Sequence, residues 1–178
     1  MKRLTPITGH NLHWARREDN KAPQGSRRGE LSFLSLDTGV AAEYIDLEGD
    51  LHREAEAVFR NIAEGRILAF VPHEVLAETY YVSSRIYRNL SLKGPEQRAG
   101  KLIEWLYKAP NISIPEPSLE LDIMAGEIKG RFGLALTDSY VLASAKISGG
   151  KALFRKREKE MAKRLDELVK EYSVVFLE

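Results

Sequence analysis

Three carboxylates stand where the surrounding pattern asks for apolar side chains. Glu78 lies three residues after Val75 and four before Val82, within a stripe of Val75, Thr79, Val82 and Ile86 that a helix would turn toward a core. Asp138 precedes Val141, Leu142 and Ala145 by three, four and seven residues, so it lies on the buried face from the first turn. Asp37 directly ends the apolar run Leu31-Ser-Phe-Leu-Ser-Leu36. A carboxylate removed from water must be paired, protonated or bound to a cation, because desolvating the charge alone costs several kcal/mol. Each also has a plainer reading: Asp37 as a turn residue, Glu78 as the partner of Arg85, Asp138 as an acid favoured by a helix N-terminus. If the three converge, their like charges raise one another's pKa. A hard divalent cation with oxygen ligands, Mg²⁺ or Mn²⁺, relieves that repulsion. It can also activate a water and offset charge on a phosphodiester.

The elements that must position these groups alternate. Residues 31–36 read as a strand. Asp50 to Glu64 reads as a helix ending at Gly65. Ile67 to Val71 reads as a strand buried on both faces, being apolar throughout. Pro72 opens a helix to about Arg88, and Gly94-Pro95 opens another ending near Ala109-Pro110. Asn111 to Ile114 is a short strand. Ser118 caps a helix that Gly133 stops, and Thr137 caps one running to Ile147 before Gly149-Gly150. Ala152 to Phe154 is a strand, Glu158 to about Glu171 a charged helix, and Ser173 to Leu177 a last strand. Strands alternating with helices predict an α/β fold with a mostly parallel sheet and helices on both faces. In such sheets ligands sit beyond the carboxyl ends of the strands.

The composition narrows the field. The 178 residues suffice for one domain with a sizeable core. No apolar run could span a bilayer, and the start has no secretory h-region. The absence of cysteine excludes disulfides and thiolate chemistry and fits a cytoplasmic location. The net charge of +1 hides a split: residues 1–29 carry a net of +5 and the remainder −4. Residues 1–29 read as a basic, disordered tail, and residues 30–178 as the folded domain. His10 and His13 lack further ligands at metal spacing and belong to that tail. His73 reads as a surface histidine at a helix start. Tyr80, Tyr81, Tyr87 and Trp105 read as core or dimer packing rather than base-stacking platforms. No phosphate loop, Gly-x-Gly-x-x-Gly turn or Ser–His–Asp arrangement stands out. An acyl-phosphate receiver would need an adjacent acid pair after the first strand, which is missing.

The same residues resemble a known family. Leu34-Ser-Leu-Asp37-Thr38 is similar to the first motif of PIN domains. Val71-Pro-His-Glu-Val-Leu-Ala-Glu78 is similar to the second, with Glu78 at the acidic position. Phe132-Gly-Leu-Ala-Leu-Thr-Asp138-Ser-Tyr-Val-Leu-Ala-Ser-Ala145 resembles the third and is the most specific of them. The matches keep the family's order over residues 31–177. The resemblance implies a three-layer α/β/α sandwich and ribonuclease activity dependent on Mg²⁺ or Mn²⁺. In the VapC-like branch it also implies a toxin with a small antitoxin partner, commonly assembled as a homodimer.

Two positions depart from the family pattern. Position 39 is Gly, where a polar or larger residue is usual. The fourth motif, usually a strand followed by Thr-x-Asp, is here Ala152-Leu-Phe154 followed by Arg155-Lys156-Arg157-Glu158. Arg157 holds the expected acidic position, and Glu158 follows it. Either Glu158 supplies a fourth carboxylate, or the site has three acids and is weak or silent, leaving a module that binds RNA or a protein. Arg155, Lys156 and Arg157 read either as phosphate contacts to RNA or as a solvated helix start.

Overall fold

The apolar run ending at Leu36 becomes the central strand of a five-stranded, all-parallel sheet. The computed structural model describes residues 32–178, and the expected tail at 1–29 lies outside the described residues. The strands are β1 (Ser32–Leu36), β2 (Ile67–Phe70), β3 (Ile112–Ser113), β4 (Lys151–Phe154) and β5 (Val174–Phe176), in the order β3-β2-β1-β4-β5. Eight helices connect them: α1 (Thr38–Ile45), α2 (His52–Ala63), α3 (His73–Asn89), α4 (Pro95–Lys108), α5 (Leu119–Phe132), α6 (Leu136–Ser148), α7 (Lys159–Ala162) and α8 (Leu165–Glu171). From β1 the chain moves outward to β2 and β3, then returns across the sheet to β4 and β5. Right-handed crossovers therefore place α1–α4 on one face and α5–α8 on the other. Tyr44, Phe59 and Trp105 pack α1, α2 and α4 together with ring centroids 4.4 to 5.6 Å apart. On the other face the Arg131–Glu171 ion pair ties α5 to α8.

The reversal of strand order falls between β1 and β4, which pair from Leu34↔Lys151 to Leu36↔Leu153. A parallel sheet opens a crevice at such a point, beyond the carboxyl ends of the two strands. Gly150 permits this pairing: a Cβ there would meet the Phe33 carbonyl oxygen at 2.7 Å. The core on either side is continuous, with Val40, Val75, Leu102, Ile128, Val141, Leu142 and Phe154 among its buried side chains.

Several boundaries differ from those the sequence predicts. Helix α1 was not anticipated, because eight residues rich in Val, Ala and Gly carry little amphipathic period. Strand β2 is only partly buried, Ala69 alone being fully so, and β3 pairs with it at Ala69 and Phe70 only. Thr137 does not cap α6; Ala135 occupies the cap without a side-chain bond, and the helix begins at Leu136. The predicted helix from Glu158 to Glu171 is broken into α7 and α8 at Lys163–Arg164. Ser118 and Gly133 bound α5 as expected, Ser118 accepting from the Leu121 N–H at 3.2 Å and Gly133 adopting φ 70°.

Candidate active site

Asp37 leaves β1 at its carboxyl end and serves as the N-cap of α1. Its backbone N–H donates to the Leu153 carbonyl of β4 at 3.0 Å, and its Oδ2 accepts from the Gly39 N–H at 2.8 Å. This capping interaction is what α1 requires of its first residue. It also fixes the carboxylate between β1 and β4. The plainer reading of Asp37 as a cap is therefore true of one oxygen and does not exclude a second use.

Glu78 comes from the second turn of α3 and Asp138 from the first turn of α6. Helices α1 and α6 both pack against α3, and α6 also lies against β1 and β4, so their early turns meet over the strand ends. Buried Thr38, the residue after Asp37, donates from Oγ1 to Glu78 Oε2 at 2.9 Å and receives a 3.4 Å bond from Thr79 Oγ1. One threonine thus joins the first two acidic positions. Asp138 is 8% exposed, as its place on the apolar face of α6 demands. Glu158 is exposed and forms the N-cap of α7 without a side-chain bond to it.

All four acids line one cleft of about 240 Å³, shared with Thr38, Gly39, Val82, Ala135, Phe154, Arg155 and Lys156. Its electrostatics are those of crowded, poorly compensated carboxylates. Burial, opposed by the Gly39 N–H and reinforced by Glu78 and Glu158, pushes Asp37 up to about 7. Burial together with Asp37, Glu158, Glu78 and Glu160 pushes Asp138 up to about 8. Among the described residues none of Asp37, Glu78, Asp138 or Glu158 forms an ion pair. Arg85, the alternative partner weighed for Glu78, instead bonds Tyr81 Oη at 3.2 Å and lies over that ring.

The donor set suits a hard divalent cation: carboxylate and hydroxyl oxygens, with no thiolate and no imidazole among the lining residues. Among the described residues no three His, Cys, Asp or Glu side chains are gathered into an ion-holding cluster.

The basic run divides. Arg155 lines the cleft, but its Nε is hydrogen-bonded to Glu43, a buried acid of α1. Lys156 lines the cleft as well. Arg157 lies outside that lining, paired with Glu178 at 3.2 Å and stacked over Phe176 at 5.8 Å. His73 is exposed, 6.4 Å from Tyr107 between ring centroids, and does not line the cleft. Tyr87 and Trp105 pack inward, whereas Tyr80 and Tyr81 are exposed, which removes the core half of the core-or-dimer expectation for those two.

Three contributors went unseen in the sequence. Thr38 was noted only as part of a motif, and its bond to Glu78 spans 40 positions. Glu43 lies on the unanticipated α1. Gly39 is explained by its neighbours: a Cβ there would meet both Arg155 Cβ and Asp37 Oδ2 at 2.8 Å. A side chain at position 39 would therefore crowd both the backbone end of residue 155 and the Asp37 carboxylate.

The family model for the PIN domain matches residues 34–167. The chain belongs to the PIN domain family. Three solved structures share this PIN fold at low identity. A toxin–antitoxin complex from Klebsiella pneumoniae is 16% identical with a TM-score of 0.51, covering 82% of this chain and 98% of that one. VapC20 of Mycobacterium tuberculosis, described as a toxin cleaving the sarcin-ricin loop, is 16% identical with a TM-score of 0.56, covering 74% and 95%. VapBC2 of Rickettsia felis, bound to a promoter DNA fragment, is 15% identical with a TM-score of 0.53, covering 81% and 96%. No protein of curated function matches the sequence. No helix among the described residues is long and apolar enough to cross a membrane.

Proposed function

We propose that this PIN domain is a metal-dependent endoribonuclease that hydrolyses RNA phosphodiester bonds. The observation that carries the reading is the convergence of Asp37, Glu78 and Asp138 on one cleft at the β1–β4 reversal without an ion pair for any of them. Asp37, Glu78 and Asp138 are the residues that would hold Mg²⁺ or Mn²⁺, with Glu158 contributing from the rim. Such an ion, when bound, supplies a water of lowered pKa and offsets charge on the phosphodiester.

The chain's own groups prepare that chemistry. The Gly39 N–H fixes one oxygen of Asp37 by a 2.8 Å hydrogen bond. Thr38 orients Glu78 by its 2.9 Å hydrogen bond. Helix α6 holds Asp138 largely buried with its side chain on the cleft. Arg155 and Lys156 stand where the phosphates of a bound strand would pass, and Arg157 beyond them, giving affinity without sequence choice. Of the similar structures, one is a toxin–antitoxin complex and another a toxin by description. This supports a toxin role with a small antitoxin partner; residues 30–178 are proposed as the nuclease unit, acting as a homodimer in the cytoplasm.

Cleavage of labelled RNA in Mg²⁺ or Mn²⁺ tests the proposal. The wild-type chain is expected to cut, and chelation or Asp138→Asn to abolish cutting while the circular dichroism spectrum is retained. Cutting by Asp138→Asn at the parental rate would overturn the assignment. A second reading, a silent module that binds RNA or protein, is favoured by the exposed Glu158 and the arginine at position 157. It predicts RNA binding without cleavage and no heat on Mn²⁺ titration.

A further inference from the structure

Glu43, the one acid of α1, is 5% exposed and built into its place. Its Oε2 accepts from the Leu51 N–H at 3.1 Å, and its Oε1 accepts from Arg155 Nε. The His52 ring bonds its backbone carbonyl at 3.0 Å. Gly49 leaves it room, since a Cβ at that position would run into Oε2. On the other side Gly39 lets the Arg155 stem approach Asp37, with no side chain between them. The guanidinium thus begins beside a crowded acidic cleft yet pairs with none of its carboxylates. The ordinary outcome for an arginine in that position is to collapse onto the nearest acids, which would neutralise them and exclude a cation.

We propose that Glu43 is a positioning residue that reserves Arg155, holding its guanidinium at the rim of the cleft so that the four acids stay available to a divalent cation and the arginine to a phosphate. This rests on reading the cleft as a cation-assisted phosphodiester site. A buried carboxylate that has lost its water demands a counter-charge, and Arg155 supplies it. The pairing engages Nε and leaves the two terminal amino groups for bidentate phosphate recognition. Glu43 itself touches neither the cation nor the RNA.

Mn²⁺ titration by calorimetry separates this role from a merely structural one. Glu43→Gln releases Arg155 toward Asp37 and Glu158, and its Mn²⁺ affinity is expected to fall about tenfold, the scale of a like-sized charge brought into contact. Arg155→Gln keeps a donor for Glu43 without the charge, and Mn²⁺ affinity is expected to hold or rise. The double variant Glu43→Gln with Arg155→Gln is expected to recover the wild-type affinity within about threefold. The same Arg155→Gln chain should lose RNA binding chiefly as a KM increase of about tenfold, as expected when a charge-assisted phosphate contact is lost from an exposed rim. Unchanged Mn²⁺ affinity in Glu43→Gln, or a double variant no better than Glu43→Gln alone, would overturn the proposal while the cleft's function stands. If Glu43→Gln does not fold, Arg155→Gln decides: weakened Mn²⁺ binding or an unmoved KM overturns it. A wild-type chain that binds no Mn²⁺ removes the reading beneath it as well.

Discussion

Replacing Asp138 by Asn should make the cation-free protein more stable, and more so as pH rises. Asp138 titrates near 3.8 when unfolded and is pushed up to about 8 in the fold, by burial first and by Asp37, Glu158, Glu78 and Glu160 after it. Between those values the folded chain binds a proton that the unfolded chain has released. Stability therefore falls as pH rises from about 4 and levels off above about 8. At pH 7, about three pH units above the unfolded value, this cost is on the order of 4 kcal/mol, at 1.36 kcal/mol for each unit. Asp37 titrates with it, so the two form one coupled cost and are not summed. Relaxation and water entry reduce the recoverable part to about 1–2 kcal/mol, the upper range of single stabilising substitutions. For a chain of 178 residues that corresponds to a Tm higher by roughly 2–8 °C. Calorimetric melts of both proteins in chelator at pH 5, 7 and 8.5 check this. The gap should widen with pH, and saturating Mn²⁺ should close it by stabilising the wild type. An Asn variant less stable than wild type at pH 8.5, or a gap independent of pH, would refute the electrostatic reasoning.

Thr38→Val removes the donor to Glu78 while keeping the shape. RNA cleavage should fall about tenfold with a melting change within a few degrees, as expected when a hydrogen bond to a charged group is lost from a site. Gly39→Ala brings a Cβ to 2.8 Å from Arg155 Cβ and Asp37 Oδ2. Urea unfolding should show a loss of about 1–3 kcal/mol, as for other overpacked positions. Ser35 is fully buried in β1, and its Oγ has no hydrogen-bond partner. Ser35→Ala should therefore raise the urea midpoint, with a gain of about 1 kcal/mol from removing an unsatisfied hydroxyl.

The parts of this protein that could be read from its sequence are those written in local pattern. The inward position of Asp138 followed from Val141, Leu142 and Ala145 on one helical face, and its burial agrees. Asp37 at the end of β1 followed from an apolar run that stops abruptly. Parallel pairing followed from strands separated by helices. What escaped depends on contacts between distant positions. Glu43 bonds Arg155 across 112 positions, and no spacing rule brings α1 to the end of β4. Helix α1 itself is held by Asp37 and by packing on α3 rather than by its own period. Gly39 looked like a departure because one of the groups a side chain there would crowd lies at residue 155. The break between α7 and α8 lies in a charged stretch whose polar pattern suits one helix or two.

The most direct test of the account is Mn²⁺ titration, at pH 7.5, of the wild-type chain and of Asp37→Asn, Glu78→Gln and Asp138→Asn, each shown to be folded. Saturable binding in the wild type, weakened in all three variants, is predicted from their shared cleft. Absence of binding in the wild type, or affinity indifferent to all three substitutions, would contradict it.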